Sequence, residues 1–381
     1  MNTQYLYVAS YTYPHFAPGA VKVSGAKGIS VYKIEDNELR LIQVIETPNP
    51  SFITTNSDKS MLYCVNELGI DDSSLDGRVS AFRIDSESGE LSFVNSQLTN
   101  GNWPCHCEVS ANGRQLLVAN YGSGNFISVH INSDGSLGQL ADQHYNAPEG
   151  CRVELNRQSS AHPHMILSSP SGEHVFGVDL GNDQINTWSL GESGQLTPAT
   201  VPVATVASGS GPRHMVFSPN SQCAYVLNEL SSSVDTYQFH SERASLLWLQ
   251  SLSLLPVNSY HSRPDFDPNN PGKVPEGSNT GGEICIDSSG RYLYATNRGM
   301  NSIVTYSIDQ TTGQLTAIDW ISTEGKIPRG MAIEPMGKHL YVGNQDSDSI
   351  VRIAINGESG RLSEASKLVT PCAVPTDFAF V

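Results

Sequence analysis

Short runs of alternating apolar and polar residues follow one another along this chain, separated by turn-forming clusters. The run GPRHMVFSPNSQCAYVLNELSSSVDTY, Gly211 to Tyr237, shows the unit. A turn leads into a strand-length segment. A second turn at Ser218-Pro219-Asn220 leads into another segment, which ends in Asn228-Glu229. The second segment has seven versions: YLYVASY from Tyr5, MLYCVNE from Met61, QLLVANY from Gln115, HVFGVDL from His174, CAYVLNE from Cys223, YLYATNR from Tyr292 and HLYVGNQ from His339. The segment before it also has seven: NPSFITTN from Asn49, WPCHCEVS from Trp103, HPHMILSS from His162, GPRHMVFS from Gly211, GGEICIDS from Gly281, IPRGMAIE from Ile327 and VPTDFAFV from Val374. A third segment (SVDTYQF, SIVTYSI, SIVRIAI and others) follows each second one, and a fourth follows turns such as ESGQL and TTGQL. Period-2 alternation over such lengths predicts half-buried strands.

Four short strands per unit, repeated at a spacing of roughly 50 residues, predict an all-β, seven-bladed β-propeller with four antiparallel strands per blade. The phase is informative. The chain opens on a second strand and closes on a first strand, VPTDFAFV. Seven complete blades therefore require the C-terminal strand to pair with the N-terminal blade, which leaves no open edge at the join. Residues 1–381 are read as a single domain, because no linker or low-complexity tract divides them. Three loops break the period: 12–27, 69–77 and, the longest, 256–280. Long loops in a compact fold tend to be functional rims or lids.

Composition sharpens this picture in two ways. Only 16% of residues are charged, while 33 glycines and 21 prolines supply turns, as an all-β repeat needs. The net charge is −16, which repels nucleic acid and anionic membranes. Neither is expected as a partner, and an anionic ligand must be held by a few local arginines. The first residues, MNTQYLYVASY, lack a basic stretch followed by an apolar one, so no signal peptide is expected. Seven cysteines without CxxC spacing argue against a disulfide framework or a zinc site. The expectation is a cytoplasmic protein, monomeric or weakly homo-oligomeric.

In a propeller the equivalent positions of all blades converge on the axis. The start of each first strand lies at the same end of the ring as the finish of each second strand. The residues after the proline (after Gly281 in the sixth unit) are Ser51, Cys105, His164, Arg213, Gly282, Arg329 and Thr376. Those after the Asn, Asp or Ser that closes the second strand are Tyr11, Glu67, Tyr121, Leu180, Glu229, Arg298 and Gln345. Purely structural positions in a repeat carry repetitive residues, but these carry two Glu, three Arg, a His and two Tyr. A His beside arginines and carboxylates suits acid–base chemistry on an anion. The competing explanation is that each Glu–Arg pair only compensates buried charge. Glu283 reaches the mouth if the sixth unit shifts register. His106 and His214 stand one residue further along; strict alternation points them away from His164, between blades. Met165, Met215 and Met331 are expected in blade cores. The chain has no GxSxG elbow, P-loop, dinucleotide fingerprint or HExxH spacing. No metal or other cofactor is expected.

At these residues the sequence resembles the seven-bladed propeller lactonases, a family that includes propeller-type 6-phosphogluconolactonases and fungal carboxymuconate cyclases. The likeness spans the chain and is most specific in HPHMILSSPSGEHVFGVDLGNDQI, GPRHMVFSPNSQCAYVLNELSSSV and GRYLYATNRGMNSI, with VANYGSGN from Val118 as a weaker fourth segment. It implies opening or closing of a lactone without a covalent nucleophile. By motif it places the implicated groups on His164, Arg213, Glu229 and Arg298. Thr296 stands where the family usually has serine before NRG, and the long 256–280 loop puts the family's substrate in doubt.

The resulting expectation is hydrolysis of a sugar-acid lactone, with 6-phosphogluconolactone the leading candidate. His164 acts as base and then acid, Arg213 and Arg298 hold the carboxyl or phosphoryl oxygens and stabilise the charge developing on the carbonyl oxygen, and Glu229 orients an arginine or the histidine. Arg329, Tyr121, Glu67 and Glu283 are the expected substrate-binding residues. The alternatives are a lactone-forming cycloisomerase and a propeller that binds a ligand or protein without chemistry.

Overall fold

The computed structural model describes residues 4–12, 25–35, 38–69, 77–267 and 273–381. Their strands form seven four-stranded antiparallel sheets. The innermost strands are Pro50–Thr55, Pro104–Val109, Pro163–Ser168, Pro212–Phe217, Thr280–Ile286, Pro328–Ile333 and Pro375–Phe380. Each packs beside the next around a closed ring. The C-terminal strand pairs with Gln4–Ser10, Leu6 opposite Phe380 and Val8 opposite Phe378, so the ends of the chain complete one blade as the repeat phase requires. Among the described residues the only helices are single 3-10 turns, and no helix is long and apolar enough to cross a membrane.

The second strand of each blade is buried along nearly its whole length, as in Met61–Asn66 and Cys223–Asn228. The core lies between blades. Tyr225, Leu227 and Val234 of one blade pack on Leu293, Ala295, Val304 and Tyr306 of the next. Full burial of one such side chain contributes about 1.5–3 kcal/mol. The recurring tyrosine of the second strand adds a polar link. The hydroxyls of Tyr7, Tyr63, Tyr225 and Tyr294 donate to the carbonyls of Gly89, Gly135, Gly313 and Gly360, at 2.8, 2.8, 2.9 and 2.8 Å. Each glycine sits in the outer hairpin of the following blade. Gly89 has a φ of 73°, and a Cβ there would lie 2.4 Å from the Tyr5 ring.

Two local devices shape the mouth. The recurring Asn at the end of the second strand ties it to the crossover that enters the first strand. Asn66 donates to Pro48 O (2.7 Å), Asn297 to Leu254 O (3.0 Å) and Asn344 to Thr323 O (2.8 Å). The following residue is then pinned by its own backbone. The amides of Glu67, Tyr121 and Glu229 donate to the carbonyls of Asn49, Trp103 and Gly211 at 2.9, 2.9 and 2.7 Å.

The second device is a register shift at the start of every inner strand, for example between Pro163 and Met165 and between Pro212 and His214. In five inner strands the residue left without a cross-strand partner is the one after the proline; in Pro50–Thr55 and Thr280–Ile286 two residues are skipped, Ser51 with Phe52 and Gly282 with Glu283. A β-bulge of this kind bends the strand and re-aims side chains. In five blades the residue before the proline also takes a left-handed φ, at Asn49, Trp103, Gly211, Ile327 and Val374. For the β-branched Ile327 and Val374 that conformation costs about 1–3 kcal/mol. The strain is held at the mouth of the channel.

The 256–280 insertion is anchored rather than free over its described part. Phe266 is buried against Leu180 and Leu230, and Ser262 bridges Ser278. The other two insertions fall mostly outside the described residues, since 13–24 and 70–76 are not among them.

Candidate active site

A narrow cavity opens at the mouth, lined by Tyr11, Glu67, Cys105, Tyr121, Arg157, His164, Glu229, Arg298 and Arg329. All but Arg157 belong to the two sets of converging positions. The larger cavities of the molecule lie elsewhere, in grooves between outer hairpins such as that of Ser218–Gln222 and Asp309–Gly313. One of them is also lined by ionisable side chains, among them Asp58, Arg83, Arg114, Asp134 and Glu192, but these are exposed, whereas those of the axial cavity are buried or half-buried, which makes the axial cavity the candidate site.

Glu229 is the hub. Its Oε2 lies 2.7 Å from Arg298 Nη2 and 3.2 Å from Arg213 Nε, and its Oε1 lies 2.5 Å from Arg157 Nη2. Burial pushes this carboxyl up, but the guanidiniums of Arg157, Arg298 and Arg213 outweigh it and hold the pKa well below the usual carboxylate range. Across the cavity Glu67 accepts from the Tyr11 hydroxyl at 2.7 Å, and Arg329 donates to that same hydroxyl at 2.7 Å while lying over the Tyr11 ring. Among the described residues no carboxylate lies within ion-pair distance of Arg329. The site thus holds a locally positive field in an acidic protein.

His164 sits between these two sides. Its ring meets Tyr121 edge-on at 5.6 Å and His214 at 5.1 Å, and its Nδ1 lies 3.9 Å from Cys105 Sγ. Burial, followed by the charges of Arg213, His214 and Arg329, lowers its pKa well below the ordinary value, so the imidazole is neutral at pH 7. A neutral imidazole can accept a proton. Tyr121 is itself stacked on His162, whose Nδ1 lies 2.9 Å from the Tyr121 carbonyl oxygen.

The structure brings His164, Glu229, Arg298, Arg329, Tyr121 and Glu67 to one cavity, but not Arg213 and Glu283. Arg213 does not line the cavity: its Nε lies 3.2 Å from Glu229 and its Nη1 donates to the Gly282 carbonyl, and Glu283 lies one layer deeper. There Glu283 Oε1 is 2.7 Å from His214 Nδ1, and its other oxygen is 4.0 Å from Arg213 Nη1. His106 and His214 are corrections. They do not point away between blades but meet edge-on in the channel, with rings 5.7 Å apart, His214 next to His164 and Phe52 against His106. The bulge breaks the alternation, so two successive residues turn inward. Met215 and Met331 are in two separate hydrophobic cores, and Met165 packs against that of Met215. No repeat position points to Arg157. It stands in the segment 146–162, outside the repeat. The excess length of that segment between TyrAsn at 145–146 and HisProHis at 162–164 is the one signal for it. Among the described residues no group of three His, Cys, Asp or Glu side chains is disposed to hold a metal ion.

The closed ring of seven blades thus gathers several arginines and a buried histidine in one axial pocket. The sequence profile of the family described as "Lactonase, 7-bladed beta-propeller" matches residues 5–379, and the chain belongs to that family. It is similar to the 6-phosphogluconolactonase of Bacillus subtilis (strain 168), with 30% identity over 87% of this chain and 86% of that one. It is also similar to the 6-phosphogluconolactonase of Formosa agariphila, with 31% identity over 81% and 82%. Among solved structures, the periplasmic gluconolactonase of Pseudomonas aeruginosa superposes with a TM-score of 0.87 at 29% identity, over 100% of this chain and 99% of that one.

Proposed function

We propose that the protein hydrolyses a sugar-acid lactone, with 6-phosphogluconolactone the leading substrate, and that His164 is the general base. The observation that carries this reading is a neutral, buried imidazole in the same cavity as the Arg298 and Arg329 guanidiniums. His164 takes a proton from water, and the hydroxide attacks the lactone carbonyl. Arg298 and Arg329 stabilise the oxyanion or hold the substrate's anionic group, donors already in place where charge develops. Collapse of the tetrahedral adduct breaks the bond to the ring oxygen, which leaves by taking the proton back from His164. Glu229, locked among Arg157, Arg213 and Arg298, stays ionised and orients the arginines; Arg213 acts through Glu229. Glu67 and Tyr11 fix Arg329. The names of the relatives support both the reaction and the substrate class. The seven free thiols support a cytoplasmic setting, which fractionation of the source cells would check.

The test is proton release from fresh 6-phosphogluconolactone and from gluconolactone, corrected for spontaneous opening, with and without chelator. Wild type should turn over at least one of them. His164→Gln, similar in size and unable to act as a base, should lose on the order of a hundredfold or more in kcat/KM. Folded wild-type protein without turnover would overturn the reaction, and near-wild-type turnover by His164→Gln would overturn the base.

A further inference from the structure

One arginine at the mouth is supplied by no blade. Arg157 comes from the segment 146–162, which joins the outer strand Leu137–Tyr145 to the inner strand Pro163–Ser168. Its backbone is held in a turn, Arg157 N donating to Glu154 O at 2.9 Å. The neighbouring Gln158, fully buried, donates to Leu180 O and Asp183 Oδ1, both at 2.9 Å. The guanidinium then projects into the cavity wall. Its Nη2 serves both Glu229 and the Tyr121 hydroxyl, at 2.5 and 3.3 Å. Nε and Nη1 make no hydrogen bond among the described residues, so part of the guanidinium's donor fork is unused beside the cavity.

A second insertion backs this arginine. The Phe266 ring lies 4.8 Å from the guanidinium carbon, is buried against Leu180 and Leu230, and its carbonyl accepts from Asn156 Nδ2 at 2.7 Å. Charge compensation alone does not explain the arrangement, since Glu229 already has Arg298 and Arg213 beside it.

We propose that Arg157 is a substrate-contacting group for an anionic lactone and that Phe266 is its positioning residue, so that the 256–267 strap tunes the mouth toward charged substrates. The inference rests on the lactonase reading. A stacked, pre-aimed guanidinium loses less freedom when it binds a carboxylate or phosphoryl group.

The experiment uses the full-length protein with 6-phosphogluconolactone and uncharged gluconolactone side by side. Arg157→Ala should raise KM for the charged lactone about tenfold more than for the uncharged one, which changes only as far as Glu229 loses one of its partners. Phe266→Leu keeps the plug on Leu180 and Leu230 but removes the ring under the guanidinium. It should shift the same KM by a smaller factor with an unchanged melting temperature, and Phe266→Tyr should restore the wild-type value. The double variant Arg157→Ala/Phe266→Leu should be no worse than Arg157→Ala alone. Equal effects of Arg157→Ala on both lactones, or independent, multiplying effects of the two substitutions, would overturn the proposal. If wild type turns over neither lactone, the lactonase reading falls. Calorimetric titration with 6-phosphogluconate then decides this inference separately: weaker binding by Arg157→Ala upholds it, and unchanged binding overturns it.

Discussion

Two layers of the same channel carry a buried glutamate, and their surroundings are opposite. At the mouth Glu229 is enclosed by Arg157, Arg213 and Arg298. One step down, Glu283 faces His214, with Arg213 at 4.0 Å, beside His106 and Phe52. The upper carboxyl is driven well below its usual range. For the lower one burial dominates, only partly opposed by Arg213, and the pKa rises to about 6. The same residue type in one axial stack is therefore a fixed anion in one layer and a group near its titration point in the next. Charge count alone does not separate them; the number of guanidiniums in direct contact does.

The strongest way to break this comparison is to neutralise each carboxyl without changing its shape. Glu229→Gln leaves three buried guanidiniums without their anion. Loss of one member of a buried ionic cluster costs on the order of 3–5 kcal/mol. Unfolding by denaturant at pH 7.5 should show a loss in that range, with kcat/KM falling as well because Arg298 loses its anchor. A loss under about 1 kcal/mol would mean that the arginines do not depend on Glu229 for their place.

Glu283→Gln should act in the opposite direction. A carboxyl whose folded pKa lies near 6, above an unfolded value of about 4.3, is disfavoured as the anion. The native state holds a proton between those values that the unfolded chain has released, so stability falls as pH rises through that window. At pH 8 the full penalty is present, about 2 kcal/mol at 1.36 kcal/mol per pH unit. Glutamine retains a hydrogen-bonding atom for His214 and carries no charge. The variant should gain roughly that amount at pH 8, and the gain should vanish by about pH 4.5. Glu229 has the reverse sign: its contribution is intact above about pH 4.5 and fades as pH falls toward its depressed folded pKa. Denaturant melts of wild type and both variants at pH 8 and pH 5 distinguish the two. A stabilising effect of Glu283→Gln that is equal at both pH values would remove titration as its cause.

How far the sequence reveals these layers depends on the repeat. Ring closure is legible because the first and last segments are incomplete halves of one unit. The mouth is legible because bulge and crossover recur in the same place, so that His164, Glu229 and Arg298 can be aligned by counting. The lower layer is not, because alternation assumes a regular strand. The extra residue after each proline turns His106 and His214 toward the axis instead. Arg157 and Phe266 are illegible for another reason. They lie in non-repeating segments, and only the fold brings positions 157 and 266 together. Arg213 illustrates a subtler limit: counting identifies its blade position, but only the packing shows its guanidinium engaged by Glu229 and the Gly282 carbonyl outside the cavity wall.

The smallest expected effect is the most discriminating for the chemistry, since it is the absence of a slope. A solvent-exposed histidine base would titrate near 6.5, and kcat/KM would fall below pH 7. His164 lies among burial, Arg213, His214 and Arg329, all of which disfavour the imidazolium. In the free enzyme it therefore remains deprotonated well below its ordinary range. The profile of kcat/KM for uncharged gluconolactone should be flat from pH 8 to pH 6.5, and the drop should come only at lower pH. The uncharged lactone is the right probe because a phosphorylated one has an ionisation of its own near pH 6. A limb at 6.5–7 that disappears in His164→Gln would show the imidazole titrating as if exposed, and the electrostatic contrast between the two layers would then not extend to the base.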